Sequence, residues 1–142
     1  MKKIGKGSWN GYGGGTEEGE SEEEAAVREL REETGGVETT TKHLEKVAVV
    51  DFHNTKESGE IFICQVHIYL VRIWYGTTKP TDEMTNPTWF DINKLPFDEM
   101  LPADREWLPL ILSGKKITAQ AWYGPHQKEL LRPVEIREVE GF

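Results

Sequence analysis

The stretch from Gly14 to Gly36 reads GGTEEGESEEEAAVRELREETGG and predicts one helix whose two ends are both marked in the sequence. Ser21 is a favourable N-cap residue, and Glu24 three positions later completes a capping box. Two consecutive glycines close the stretch and supply a C-terminal stop. We therefore predict an α-helix over about 22–34.

Apolar patterns on the C-terminal side of this helix predict two β-strands. The first covers 46–52 (KVAVVDF) and the second covers 60–74 (EIFICQVHIYLVRIW), with a polar turn between them. One face of the second strand is expected to point into the core, with the side chains of Phe62, Cys64, Val66, Ile68 and Leu70. The thiol of Cys64 is then expected to be buried and inert.

The remaining segments complete an α+β pattern. We predict a short strand over 88–92, a helix over 102–112, and two final strands over about 116–123 and 129–139. The opening 5–16 contains six glycines and predicts a loop. Because strands outnumber helices and hairpins are frequent, the expected fold is α+β, with a mixed β-sheet flanked by helices.

Composition limits the class of protein. The 142 residues fit a single domain over 1–142. The net charge is −8, and the segment 17–33 alone carries nine Glu against two Arg, so no basic face for a nucleic-acid polymer is expected. A single cysteine excludes an intramolecular disulfide framework, and no apolar run approaches the roughly 20 residues of a membrane span. We expect a soluble, cytoplasmic protein without a membrane partner.

Three carboxylates share one face of the predicted helix. Glu29, Glu32 and Glu33 are three and four positions apart, so they repel one another unless a cation neutralises them. Oxygen ligands without His or Cys select Mg²⁺ or Mn²⁺. The alternative is a solvated acidic surface helix partly paired by its two arginines. The histidines show no metal-ligand spacing and are interpreted as structural: His43, His53, His67 and His126.

The spacing of fixed residues in this stretch resembles the Nudix box, the signature of the Nudix hydrolases. The matching positions are Gly14, Glu20, Arg28, Glu29, Leu30, Glu32, Glu33 and Gly35. Gly36 departs from the pattern, because the family prefers a bulky apolar residue there. The resemblance implies a Nudix-type α/β/α sandwich, with the first strand of the family apparently missing ahead of Lys2.

A second resemblance, over about 1–139, is to the MutT-type branch that hydrolyses oxidised purine nucleoside triphosphates such as 8-oxo-dGTP. It rests on Met1-Lys2-Lys3, Trp9-Asn10-Gly11-Tyr12-Gly13-Gly14, Asp82-Glu83-Met84, Trp89-Phe90, Leu95-Pro96-Phe97, Met100 and Trp107. It implies metal-dependent hydrolysis to nucleoside monophosphate and pyrophosphate. The alternatives are hydrolysis of another nucleoside diphosphate derivative, such as ADP-ribose, or of an ordinary dNTP, and a weakly active nucleotide-binding module.

The resemblance also implies roles for individual residues. Metal ligands would be Glu29, Glu32, Glu33, Glu83 and a main-chain carbonyl near Gly13. Glu33 or Glu32 would activate the water, Arg28 would orient the carboxylates, and Glu20, Gly14 and Gly35 would be structural. Substrate would contact Lys2, Asn10, Tyr12, Gly13, Gly14, Gly15, Leu101, Asp104 and Tyr123.

Several of these assignments have a structural alternative. Asn10 could simply form a turn before Gly11, and Lys2 and Tyr123 could be a surface base and a core aromatic. Leu101 stands where the mammalian pattern has Trp, so a stacking indole is lost. An unfilled strand position leaves a sheet edge open, from which we expect a homodimer or exchange of a terminal strand near Leu130–Val139.

Overall fold

The structure is a computed structural model that describes residues 2–4, 8–10, 16–81 and 88–142. The chain divides into two compact units, Met1–Glu45 with Tyr69–Glu99 and Lys46–Ile68 with Met100–Phe142. The helices and strands of the described ranges are β1 (Lys2–Ile4), β2 (Ser8–Asn10), α1 (Glu22–Thr34), β3 (Leu44–Thr55), β4 (Ile61–Val71), α2 (Asp104–Leu112), β5 (Lys116–Trp122) and β6 (Glu135–Val139).

The first unit contains α1 and a two-stranded sheet. The helix has the bounds that the sequence predicts. β1 and β2 pair antiparallel, with Lys2 opposite Asn10 and Ile4 opposite Ser8. The prediction of an unbroken loop over 5–16 is therefore wrong at 8–10, because three residues between glycines suffice to pair with a neighbouring strand.

The second unit is built on a mixed sheet with strand order β4-β3-β5-β6. β3 and β5 run parallel from the pair Ala48–Ile117 to the pair His53–Trp122, whereas β5 and β6 are antiparallel. Alternate residues of β5 are buried, and α2 contacts this strand. Buried Trp107 and Ile111 of α2 complete the core on this side. The predicted α+β class with a mixed sheet is confirmed.

The predicted core face of β4 is wrong in its first half. Phe62, Cys64 and Val66 are exposed, and so are Ile61 and Ile63 on the opposite face. The strand is at the edge of its sheet, and residues 61–66 are exposed on both of its faces, so among the described residues this half of β4 belongs to no buried core. An alternating pattern predicts a strand but does not say whether the strand is central or at an edge.

Other predicted bounds also change. The segment 88–92 forms no strand, and Trp89 there is exposed and stacks on Trp74 instead of pairing in a sheet. β6 begins at Glu135, six residues later than the predicted strand, and α2 begins at Asp104. Of the helices in the described ranges, none has the length and apolar character required to cross a membrane.

Candidate functional site

The helix α1 carries the acidic face, and both of its ends are fixed by local hydrogen bonds. The Glu24 backbone N–H donates to Ser21 Oγ over 3.1 Å, and the Ser21 N–H donates to Glu24 Oε1 over 3.2 Å. At the other end, Gly35 adopts φ 70°, a left-handed conformation that glycine favours, and its N–H donates to the Arg31 carbonyl. The structural role predicted for Gly35 rests on this backbone geometry.

Arg28 is the centre of a carboxylate cluster within the first unit. Its Nε and Nη2 donate to the two oxygens of Glu20 over 2.7 and 3.0 Å, a forked arrangement. Its Nη1 donates to Glu29 Oε1 over 2.9 Å and to Glu32 Oε2 over 3.1 Å. Glu20 also accepts from the Glu17 backbone N–H, so the loop before α1 is held to the helix. One guanidinium therefore fixes the orientation of three carboxylates.

Arg28 and Glu20 stabilise each other in their ionised forms. The hydrogen bond from Arg28 holds the pKa of the Glu20 carboxyl below its ordinary value. In turn, the hydrogen bond to Glu20 raises the pKa of Arg28 further, which keeps the guanidinium charged at every accessible pH. The Arg28–Glu20 pair thus stays charged and holds the guanidinium in place.

The three predicted α1 ligands occupy different environments. The Glu29 side chain is 15% exposed and the Glu32 side chain is 52% exposed, whereas Glu33 is almost completely buried. The described residues contain no group of three or more His, Cys, Asp or Glu side chains placed to hold a metal ion. Glu29 and Glu32 are brought together through Arg28, and Glu33 is not part of that cluster in the described contacts.

The donors on α1 nevertheless fit a hard divalent cation by their chemistry. Glu29 and Glu32 each give one oxygen to Arg28 Nη1, and each carries a second carboxylate oxygen. Carboxylate oxygens are the ligands that Mg²⁺ and Mn²⁺ prefer. A complete coordination sphere requires further donors, and the other predicted ones, Glu83 and the carbonyl near Gly13, lie outside the described residues.

The predicted substrate residues of the second unit surround the start of α2. Asp104 is 4% exposed, and burial raises its pKa to about 6. The Ala103 backbone N–H donates to the hydroxyl of Tyr123 over 2.9 Å, and Leu101 is half-buried. Tyr123 itself is 0% exposed and stacks on Phe52, so its alternative reading as a core aromatic matches its position. In this structure Tyr123 supports the 101–104 segment from inside.

The other predicted substrate residues are near the N-terminus, and two of them lie in strands. Lys2 and Asn10 are opposite each other in the β1–β2 pair, which brings these two positions together at one end of that sheet. Four further positions, Tyr12, Gly13, Gly14 and Gly15, lie outside the described residues.

Two contacts to α1 were not predicted from the sequence. The Tyr69 hydroxyl donates to Glu23 Oε1 over 2.9 Å, and burial raises the pKa of that phenol. Near the other end of the helix, the Thr81 hydroxyl donates to the backbone carbonyl of Glu33 over 3.2 Å. Both contacts join residues more than 40 positions apart in the chain, so no local pattern could have indicated them.

With an Arg-centred carboxylate cluster on a capped helix in one unit and a mixed sheet in the other, the chain has the elements of a Nudix protein, and residues 2–111 match the NUDIX domain. The chain belongs to the Nudix family, whose hydrolases generally need a divalent cation.

Curated relatives are similar over nearly the whole chain. The protein is 36% identical to the oxidized purine nucleoside triphosphate hydrolase of Mus musculus over 145 residues, covering 100% of this chain and 86% of the relative. It is 42% identical to the Danio rerio protein of the same name over 142 residues, covering 99% and 85%. A crystal structure of the MutT protein from Bacillus halodurans has the same fold, with a TM-score of 0.76 at 21% identity, covering 95% of this chain and 86% of that one.

Proposed function

We propose that this chain hydrolyses an oxidised purine nucleoside triphosphate, such as 8-oxo-dGTP, to the nucleoside monophosphate and pyrophosphate. The observation that carries the proposal is the identity of 36% and 42% to two relatives named for this activity, over 99% or more of the chain. The Arg28 cluster supports the hydrolytic part, because it orients acidic groups on the helix that bears the Nudix box.

In the proposed mechanism, Glu29, Glu32 and Glu33 would hold Mg²⁺, or Mn²⁺ in its place, together with Glu83 and a carbonyl near Gly13. Such a cation would supply positive charge for the phosphates and a lowered pKa for the attacking water. Arg28 keeps Glu29 and Glu32 oriented through its Nη1, and Glu20 anchors Arg28 through the forked pair. Glu33 or Glu32 accepts the proton of the attacking water.

Selection of the purine is assigned to Asn10 and Asp104. An amide offers both a donor and an acceptor to a base edge. With a pKa of about 6, Asp104 takes up or releases its proton close to neutral pH, so it can donate or accept a hydrogen bond. Leu101 offers an aliphatic surface in place of an indole. The remaining substrate contacts are proposed at Lys2, Tyr12, Gly13, Gly14 and Gly15. Tyr123 was also predicted to contact substrate, but it is 0% exposed, so we propose that it acts indirectly by supporting the segment that carries Leu101 and Asp104.

We place this reaction in the cytoplasm, with the nucleotide as the partner that the chemistry requires. A homodimer or strand exchange stays a prediction. Within this chain β6 already pairs with β5, so exchange would replace that pairing with the same one from a second copy. Light scattering on the purified protein decides: a monomeric mass at every concentration contradicts the prediction.

The function is tested by turnover of a panel of nucleotides with Mg²⁺, with pyrophosphate and orthophosphate measured separately. We expect 8-oxo-dGTP to give the highest kcat/KM and pyrophosphate to be released in equal amount to the monophosphate. A preference for ADP-ribose or for an unmodified dNTP would contradict the proposed substrate. Nucleotide binding without turnover would identify a binding module instead.

A further inference from the structure

The last turn of α1 is held by a segment that follows β4. We call residues 75–81 the strap. Tyr75 and Glu38 exchange two backbone hydrogen bonds, each 2.8 Å long. The Lys79 N–H donates to the Thr34 carbonyl over 2.6 Å, and the Thr81 hydroxyl donates to the Glu33 carbonyl over 3.2 Å. Carbonyls in the last turn of a helix have no partner within the helix, so the strap supplies donors that α1 needs.

Two glycines allow the backbones of strap and helix end to touch. A Cβ at Gly36 would lie 2.6 Å from the Thr77 carbonyl oxygen, and a Cβ at Gly76 would lie closer still to the Gly36 carbonyl oxygen. Both obstructing atoms are backbone atoms, which cannot rotate away. Gly76 also has φ +89°, a conformation that L side chains rarely adopt. The two backbones therefore approach each other only because neither residue has a side chain.

This contact explains the one departure from the Nudix box. The family places a bulky apolar residue at position 36, but in this chain such a side chain would overlap with the backbone at Thr77. The neighbouring Val37 is buried instead and supplies apolar packing. The same close approach of two backbones thus requires glycine at both 36 and 76.

We propose that the strap is a positioning device for hydrolysis, in which Gly36, Gly76 and Thr81 are positioning residues. They hold the last turn of α1, which carries Glu32 and Glu33, against the strap. Glu83 follows the strap in the sequence. The inference rests on the proposed function, since it assigns these carboxylates to the catalytic centre. It predicts that loosening the contact impairs cation binding and turnover and leaves nucleotide affinity nearly unchanged.

Two glycine variants and one threonine variant test the contact, each with a matched control. Gly36→Ala introduces the clash, whereas Gly141→Ala adds the same methyl group where nothing lies within 4 Å. Gly76→Ala adds a clash to an unfavourable φ, whereas Gly59→Ala, at φ +90° with nothing within 4 Å, has the backbone strain alone. Thr81→Val removes the hydroxyl at nearly constant volume, and Thr81→Ser restores it.

The first measurement is binding of Mn²⁺ alone, by calorimetry on the protein without nucleotide, after circular dichroism has confirmed that each variant is folded. Gly36→Ala and Thr81→Val are expected to weaken Mn²⁺ binding about 10-fold or more, the scale on which residues that orient metal ligands act. Gly141→Ala and Thr81→Ser are expected to bind as the wild type does. This result does not depend on which nucleotide is the substrate, so it separates failure of the inference from failure of the proposed function.

The second measurement is steady-state kinetics on 8-oxo-dGTP. We expect kcat of Gly36→Ala and Thr81→Val to fall about 10- to 100-fold with KM within about threefold of wild type. The inference is overturned if both variants match their controls in Mn²⁺ affinity and kcat, or if KM rises while kcat is unchanged. Should Gly76→Ala fail to fold while Gly59→Ala folds, the contact is confirmed as a packing requirement, and Thr81→Val decides the positioning role.

Discussion

Tyr123→Phe tests the supporting role of this tyrosine. The Tyr123 hydroxyl accepts the N–H of Ala103, and both residues are 0% exposed. Phenylalanine keeps the ring that stacks on Phe52 but leaves a buried backbone donor without this acceptor. The cost of such a buried unsatisfied group is about 1 to 3 kcal/mol. The free energy of unfolding should fall by that amount.

The assay is thermal unfolding followed by circular dichroism, with urea unfolding to convert the change into free energy. For a chain of 142 residues the loss corresponds to a decrease in Tm of about 3 to 10 °C. Tyr75→Phe is the matched control, because Tyr75 is 69% exposed and its hydroxyl is not expected to contribute. If the Tm values of Tyr123→Phe and Tyr75→Phe differ by less than about 1 °C, the hydrogen bond between Ala103 and Tyr123 does not stabilise the fold, and the reasoning is refuted.

Further predictions concern the α1 cluster and the base-selecting residues. Glu33→Gln should lower kcat about 100-fold or more with the fold intact, since it removes a charge at constant volume, and activity within threefold of wild type would contradict the assignment. In steady-state kinetics, Arg28→Lys should lower kcat about 10- to 100-fold, because one ammonium group cannot replace the forked pair of hydrogen bonds to Glu20. The pKa of Asp104 is raised in the folded state, so the stability that its protonated form contributes is lost as pH rises from about 4 through about 6. Urea unfolding should show the stability of Asp104→Asn rising by up to roughly 3 kcal/mol relative to wild type between pH 4 and pH 7. A difference that is the same at both pH values would disprove this. Asn10→Ala and Asp104→Ala should each lose more kcat/KM on 8-oxo-dGTP than on a pyrimidine triphosphate, whereas equal losses would assign them to holding the backbone.

Features that depend on near neighbours in the chain could be predicted from the sequence. The helix bounds Glu22 to Thr34 follow from a capping box and a terminal glycine, both within four residues of the helix ends. The forked bond between Arg28 and Glu20 spans eight residues and fits the spacing of the Nudix box. The family, confirmed by the NUDIX domain match, follows from the same stretch.

Errors arose where a residue's environment depends on distant parts of the chain. The apolar alternation predicted a buried face for β4, yet burial does not alternate along this edge strand, and Phe62 and Cys64 are exposed. The segment 88–92 has a strand-like composition but finds no strand partner, and Trp89 stacks on Trp74. Strand order and pairing are tertiary properties, so a pattern of period two cannot supply them.

Local sequence signals were enough to predict the acidic helix, its caps, the spacing of its carboxylates and the family to which the chain belongs. Long-range packing was needed to show which of those carboxylates is buried, which two share Arg28, and why position 36 is glycine. The difference lies in sequence separation, because caps and helix-face spacing depend on residues only a few positions apart. The hydrogen bond of Thr81 to the Glu33 carbonyl and the close approach of Gly76 to Gly36 join residues 40 or more positions apart, so they form only when the chain packs against the helix end.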